Sequence, residues 1–167
     1  MKQTYLIALG SNRRHRQFGA PRDVVRAAAA AVGGLGNVVG VSGIIASAPL
    51  GPSRRRYANA VLALETAQAP LTLLDELQAI ETGFGRRRAR RWGERVLDLD
   101  IVLWSCGIVA ERRLTLPHPR FRERAFVLGP ARAIAPDWRD PITGLTIRQL
   151  EARLTRPRPL PRAAFAS

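Results

Sequence analysis

Apolar residues along this chain fall into short runs whose period changes between two and about 3.6 residues, the periods of strand and helix. The run "TYLIALGSN" (4–12) reads as a strand that stops at the turn residues Gly10, Ser11 and Asn12. Pro21 suits a first helical turn. In the "RDVVRAAAAAV" that follows, Val24, Val25, Ala28 and Val32 form one stripe before Gly33 and Gly34 end the helix. "NVVGVSGIIASAPL" (37–50) reads as a second strand weakened by glycine. "YANAVLALET" (57–66) alternates: Ala58, Ala60, Leu62 and Leu64 share one face, Tyr57, Asn59 and Val61 the other.

A second helix is predicted from Pro70, with Leu73, Leu74, Leu77 and Ile80 turned inward and Gly83 as its C-terminal cap. Gln78 and Glu81, three apart, are neighbours on its flank. Residues 96–104, "VLDLDIVLW", return to period two. Leu97, Leu99, Ile101 and Leu103 take one face and Val96, Asp98, Asp100 and Val102 the other. A hairpin over 105–116 and a last helix near 145–154 complete the pattern. Strand-helix-strand occurring twice predicts an α+β fold: a ferredoxin-like βαββαβ core with an antiparallel sheet, helices packed on the sheet and extra C-terminal elements. One domain is expected over residues 1–154, followed by a basic, Pro- and Arg-rich tail over 155–167.

Charge narrows the partners. The net charge is +14, carried by 26 arginines and a single lysine, Lys2. Such an excess favours anionic partners such as nucleotide phosphates or nucleic acid, and by itself does not choose between them. The lone Cys106 excludes a disulfide framework or a cysteine-rich zinc site. No signal-like leader and no apolar run near 18 residues is present, so a cytoplasmic protein without a membrane segment is expected.

The segment "RRWGERVLDLDIVLW" (90–104) carries the most chemistry. Asp98 and Asp100, two apart on a strand, project from one face, where two carboxylates repel unless a cation lies between them. Mg²⁺ is bound in this way, by one or two carboxylates plus substrate phosphate oxygens. A solvated face on an edge strand fits the alternation equally well, so on this motif alone both readings stand. The arginines just before the strand favour the first, because the guanidinium fork matches phosphate oxygens. Phosphoryl transfer needs chiefly positioning and charge neutralisation. A P-loop is excluded, since the only lysine is Lys2. "GGLGNVVG" follows a helix and precedes a strand, the reverse of the dinucleotide-binding order. The strands lack the aromatic pattern of RNA-binding sheets, which weighs against nucleic acid. His118, in "LPHPRFRERAF", lies among Arg113, Arg120, Arg122 and Arg124, where a neutral imidazole could donate to a phosphate oxygen. His15, in "RRHR", is expected to be solvated.

Taken together, "YLIALGSN", "YANAVLALET", "LLDELQAIE", "GRRRARRWGERVLDLDIVL" and "LTLPHPRFRERAFVL" resemble the 6-hydroxymethyl-7,8-dihydropterin pyrophosphokinase family through about residue 150. The resemblance implies transfer of diphosphate from ATP to the hydroxymethyl oxygen of the reduced pterin, with release of AMP, in folate biosynthesis. It implies that Asp98 and Asp100 hold two Mg²⁺ ions and that Arg86 and Arg95 join them as catalytic residues. Gln78, Arg88, Arg91, Trp92, Arg113, Thr115, His118 and Arg124 fall on ATP-contacting positions. Gly10, Ser47, Leu50, Tyr57, Asn59 and Phe126 fall on the pterin pocket. The implied partners are ATP and the reduced hydroxymethylpterin, with no nucleic acid and no membrane, and the implied state is a monomer.

The chain departs from the family pattern after Asn12, where "RRHRQFG" replaces a Leu-Gly-Asp type turn. It departs again at Ser47-Ala48 in place of Thr-Pro, and in the basic "GPSRRRY". Two other readings compete: a non-catalytic basic RNA- or nucleotide-binding module on the same scaffold, and a phosphoryl-transfer enzyme acting on another heterocyclic alcohol. Retention of the carboxylate pair opposes the first, since RNA binding needs no metal dyad.

Overall fold

A computed structural model describes residues 1–48, 55–85 and 96–159. In chain order the elements are β1 (Gln3–Ser11), α1 (Pro21–Gly33), β2 (Asn37–Val41), β3 (Ile45–Ser47), β4 (Tyr57–Thr66), α2 (Pro70–Gly83), β5 (Asp98–Trp104), β6 (Val109–Glu111), β7 (Leu114–Leu116), a 3-10 turn (Phe121–Glu123), α3 (Ala125–Ile134) and α4 (Ile147–Thr155). The main sheet runs β2-β4-β1-β5, with β3 also on β4, and every pairing is antiparallel. That order is the one expected of a ferredoxin-like core, with the two long strands β1 and β4 at its centre. β6 and β7 form the separate hairpin expected over 105–116.

Both faces of the sheet are covered, and the period of two divides them. Tyr5, Ile7 and Leu9 of β1 and Ala58, Ala60, Leu62 and Leu64 of β4 pack with the Val24/Val25/Ala28/Val32 stripe of α1 and with Leu73 and Leu77 of α2. The alternate residues Leu6, Val61 and Ala63 pack instead with Phe121, Val127, Leu128, Ile147 and Leu150 from the C-terminal elements. Each fully buried leucine or isoleucine contributes roughly 1.5–3 kcal/mol. The C-terminal elements are therefore a third layer, without which half of the central sheet would face water.

Four local expectations are corrected. The single strand over 37–50 is two strands, β2 and β3, separated at Ser42-Gly43-Ile44. Ser42 bridges the break: its N–H donates to Val61 O, and its hydroxyl accepts from Val61 N, both at 2.9 Å. α2 is capped by Phe84 rather than Gly83, and the left-handed glycine that turns the chain is Gly85 (φ 91°). In β5, Leu6 faces Leu103 but Ile7 faces Ile101, so Val102 is an extra residue. This bulge flips the register. Leu103 consequently packs with Val102 on the α3 side and not with Leu99 and Ile101. Val96, placed by alternation on the aspartate face, packs against the opposite core.

His15 is also not simply solvated. Its Nδ1 accepts from Gln17 N (3.0 Å) and Phe18 N (3.2 Å), and its ring packs on Phe18 and Phe84. A turn closed by its own imidazole, with an aromatic partner four residues after Ile80, leaves little trace in local periodicity.

Candidate active site

The site begins with register. Gly10 stands opposite both Asn59 on β4 and Asp98 on β5, and Ala8 stands opposite Asp100. Asp98 and Asp100 of β5 and Asn59 of β4 thereby reach the same end and the same face of the sheet from the two strands that flank β1. β3 adds Ser47, opposite Tyr57, and Asn59 Nδ2 donates to Ser47 Oγ at 2.6 Å. From the C-terminal layer, the chain leaving the 3-10 turn contributes Arg124 and Phe126. These residues enclose a cleft of about 170 Å³ lined by Gly10, Ser47, Tyr57, Asn59, Asp98, Asp100, Arg124 and Phe126, with Ala8, Leu9, Ala60 and Val127 in its walls.

Its electrostatics are split. Arg124 Nη1 lies 3.8 Å from Asp100 Oδ2, and its guanidinium sits 5.8 Å from the Phe126 ring centre. His118 is tied to the outer edge of β5 by its N–H, which donates to Val102 O at 2.9 Å. Burial pushes its pKa below the ordinary value and the Arg124 and Arg120 charges add to this, while the Asp100 charge opposes them. Arg120 N donates to His118 Nδ1 (3.1 Å), so the neutral ring carries its proton on Nε2. The cleft thus combines carboxylates on β5 with the Arg124 cation, an amide and aromatic rings, while His118, close enough to feel the Asp100 and Arg124 charges, lies outside its wall.

Gln78 and Thr115 are exposed and lie outside the cleft, on α2 and β7. Arg113, just before β7, forms an ion pair with Asp75 of α2, and neither residue joins the cleft wall. Leu50 and the loop positions Arg86, Arg88, Arg91, Trp92 and Arg95 lie outside the described residues. Three pairings were not legible in the sequence: Asp75 with Arg113, Asp140 with Arg122, and Asn59 with Ser47 across neighbouring strands. Only folding brings such partners together.

Among the described residues no cluster of three or more His, Cys, Asp or Glu side chains could hold a metal by itself. Two carboxylates on one face, open to a cleft, instead fit a hard ion that completes its shell with water and substrate oxygens. No described helix is long and apolar enough to cross a membrane.

A sheet end with this distribution of charge matches enzymes that transfer phosphoryl or diphosphoryl groups, and the comparisons with known proteins agree. A family model, 7,8-dihydro-6-hydroxymethylpterin-pyrophosphokinase, matches residues 6–136, and the chain belongs to that family. It is 47% identical over 137 residues to a 2-amino-4-hydroxy-6-hydroxymethyldihydropteridine pyrophosphokinase of Haemophilus influenzae, covering 80% of this chain and 82% of that one. The corresponding Pseudomonas aeruginosa protein is 46% identical over 144 residues, 84% of this chain and 86% of that one. Among solved structures, the fold is similar to Plasmodium falciparum HPPK-DHPS crystallised with pteroate, with a TM-score of 0.71 at 12% identity. That match covers 92% of this chain and 42% of the longer Plasmodium chain.

Proposed function

We propose that this protein transfers diphosphate from ATP to 6-hydroxymethyl-7,8-dihydropterin, releasing AMP in folate biosynthesis, and that the cleft between β1, β4 and β5 is where the transfer occurs. The observation that carries the siting is the convergence of Asp98, Asp100 and Arg124 with Tyr57, Asn59 and Phe126 in one cleft. One end offers charge for a polyphosphate and the other an amide and aromatic faces for a flat heterocycle.

The hydroxymethyl oxygen attacks the β-phosphorus of ATP. The bond from that phosphorus to the oxygen bridging it to the α-phosphate breaks, AMP departs with that oxygen, and the hydroxyl proton is released. Asp98 and Asp100 would hold Mg²⁺, with two ions implied by the family resemblance; bound there, the metal neutralises phosphate charge. Arg124 contributes a fixed positive charge, already aimed at the carboxylate end. His118, neutral with its proton on Nε2, donates to a phosphate oxygen without adding charge. Asn59, with its amide held by Ser47, presents a hydrogen-bonding edge to the heterocycle, while Tyr57 and Phe126 offer ring faces. Gln78, Arg113 and Thr115, outside the cleft wall, are assigned to the nucleotide on family resemblance. Arg86, Arg88, Arg91, Trp92 and Arg95 are assigned to the same nucleotide, and Leu50 to the heterocycle, on family resemblance alone.

The decisive experiment incubates the protein with Mg²⁺, ATP and 6-hydroxymethyl-7,8-dihydropterin and identifies the nucleotide formed. AMP in step with pterin consumption is expected. ADP would indicate a one-phosphate kinase, and absence of turnover would overturn the proposal.

A further inference from the structure

Asp140 lies in the connection between α3 and α4, outside the cleft, yet both of its carboxylate oxygens are hydrogen-bonded. Its side chain is fully buried. Arg122 grips it with two parallel bonds, Nε to Oδ2 at 2.6 Å and Nη2 to Oδ1 at 2.8 Å. Ile142 N donates to Oδ1 (3.0 Å) and Thr143 Oγ1 to Oδ2 (2.7 Å). The turn that aims the carboxylate is itself closed, by Asp140 N to Leu145 O (2.9 Å) and Gly144 N to Asp140 O (2.8 Å). The Arg122 guanidinium also stacks 4.7 Å from the centre of the buried Phe121 ring.

What this clamp holds matters more than its strength. Residues 117–126 carry His118, Arg124 and Phe126 but do not form a strand of the sheet. Their described tethers include the His118 N–H bond to Val102 O, the seat of Phe121 in the core, Arg122 on Asp140, and the first turn of α3, where Arg124 O accepts from Val127 N and Leu128 N, each at 3.0 Å. Arg122 lies two residues before Arg124, at the centre of the 3-10 turn whose first residue, Phe121, accepts the Arg124 N–H on its carbonyl oxygen at 3.2 Å. The direction in which the chain leaves that turn decides whether the Arg124 guanidinium reaches Asp100.

We infer that Asp140 and Arg122 are positioning residues for the transfer reaction, holding the 3-10 turn so that Arg124 stands correctly in the cleft. The inference rests on the cleft being the reaction site. It follows from a general sensitivity: a displacement of about 1 Å in a catalytic group, caused from a distance, can cost about 100-fold in rate. The described hydrogen bonds and ion pair of Asp140 reach no residue of the cleft wall, so its effect passes through the turn.

A double-mutant cycle tests this. Asp140→Asn keeps the shape but removes the charge, and is expected to lower kcat/KM for ATP by about 10-fold or more. In an Arg124→Ala background the same change should cost less than about 2-fold, because the group it positions is gone. Arg122→Lys, which keeps charge but loses the fork, should fall between wild type and Asp140→Asn. A control destabilised elsewhere, Gly36→Ala, should lose thermal stability while keeping kcat/KM. If Asp140→Asn does not fold, Thr143→Val replaces it in the cycle. Equal losses in both backgrounds, or no loss in either, would overturn the inference. Full turnover in Arg124→Ala alone would instead overturn the siting of the reaction.

Discussion

Gly10 and Asn59 stand opposite each other across the β1–β4 ladder, and Asn59 Oδ1 lies 3.2 Å from where a Cβ on residue 10 would sit. The glycine is thus a matter of space rather than of backbone angle. It lets the Asn59 amide lie flat over β1 while its nitrogen reaches Ser47. Gly10→Ala should push the amide off Ser47 and raise KM for the pterin by about 10-fold, with a smaller change in KM for ATP. Steady-state kinetics with each substrate varied in turn will check this. Equal effects on both substrates would mean that Asn59 is not on the heterocycle side.

Asp98→Ala and Asp100→Ala should each lower kcat by about 100-fold or more, since each removes fixed charge from the polyphosphate end. Both carboxylates are partly exposed and neither belongs to the core, so far-UV circular dichroism should be unchanged. Calorimetric titration of Mg²⁺ with a nonhydrolysable ATP analogue should show weakened binding in both variants. Near-normal turnover in either would remove that residue from the metal assignment.

Burial alone would raise the Asp140 pKa. The Arg122, Thr143 and Ile142 hydrogen bonds and the Arg122 charge outweigh it and hold the carboxyl at about 2. In the unfolded chain an aspartate titrates near about 3.9. The folded state therefore gains stability from this group above about pH 4, and loses it as pH falls through about 2. The amount is about 2–3 kcal/mol. Urea unfolding between pH 7 and pH 2 should show this loss in the wild type, and Asp140→Asn should flatten part of it. Parallel curves for the two proteins would contradict the assignment.

Gly36 precedes β2 and lies against β4, where an added Cβ would come within 2.4 Å of Glu65 O and 3.0 Å of Thr66 Cβ. The first of these atoms is backbone and cannot swing aside. Gly36→Ala should destabilise the protein by about 1–3 kcal/mol, read as a lower urea midpoint with unchanged slope. Since the contact is remote from the cleft, kcat/KM should remain that of wild type at temperatures where the variant is folded.

The period of the apolar pattern carried most of the architecture. β1, α1, β4 and α2 lie within a residue of where alternation and the Pro and Gly signals put them, because each of these elements buries a regular stripe and both of its ends are marked locally. The face shared by Asp98 and Asp100 was equally legible, since two residues on a strand must point the same way. Other features needed contacts that local sequence does not record. Val102 is apolar whether or not it bulges; only its pairing with β1 decides that Leu103 turns to the α3 side. Residues 37–50 read as one strand weakened by glycine, and only the pairing of Ser42 with Val61, 19 residues on, marks the break between β2 and β3. Asp140 reads as an ordinary acidic residue in a loop until tertiary packing buries it and brings Arg122 to both of its oxygens. Local periodicity reports which side of an element is apolar. Which buried polar group finds which partner is decided by where distant segments meet, because leaving such a group unpaired in the interior costs about 1–3 kcal/mol.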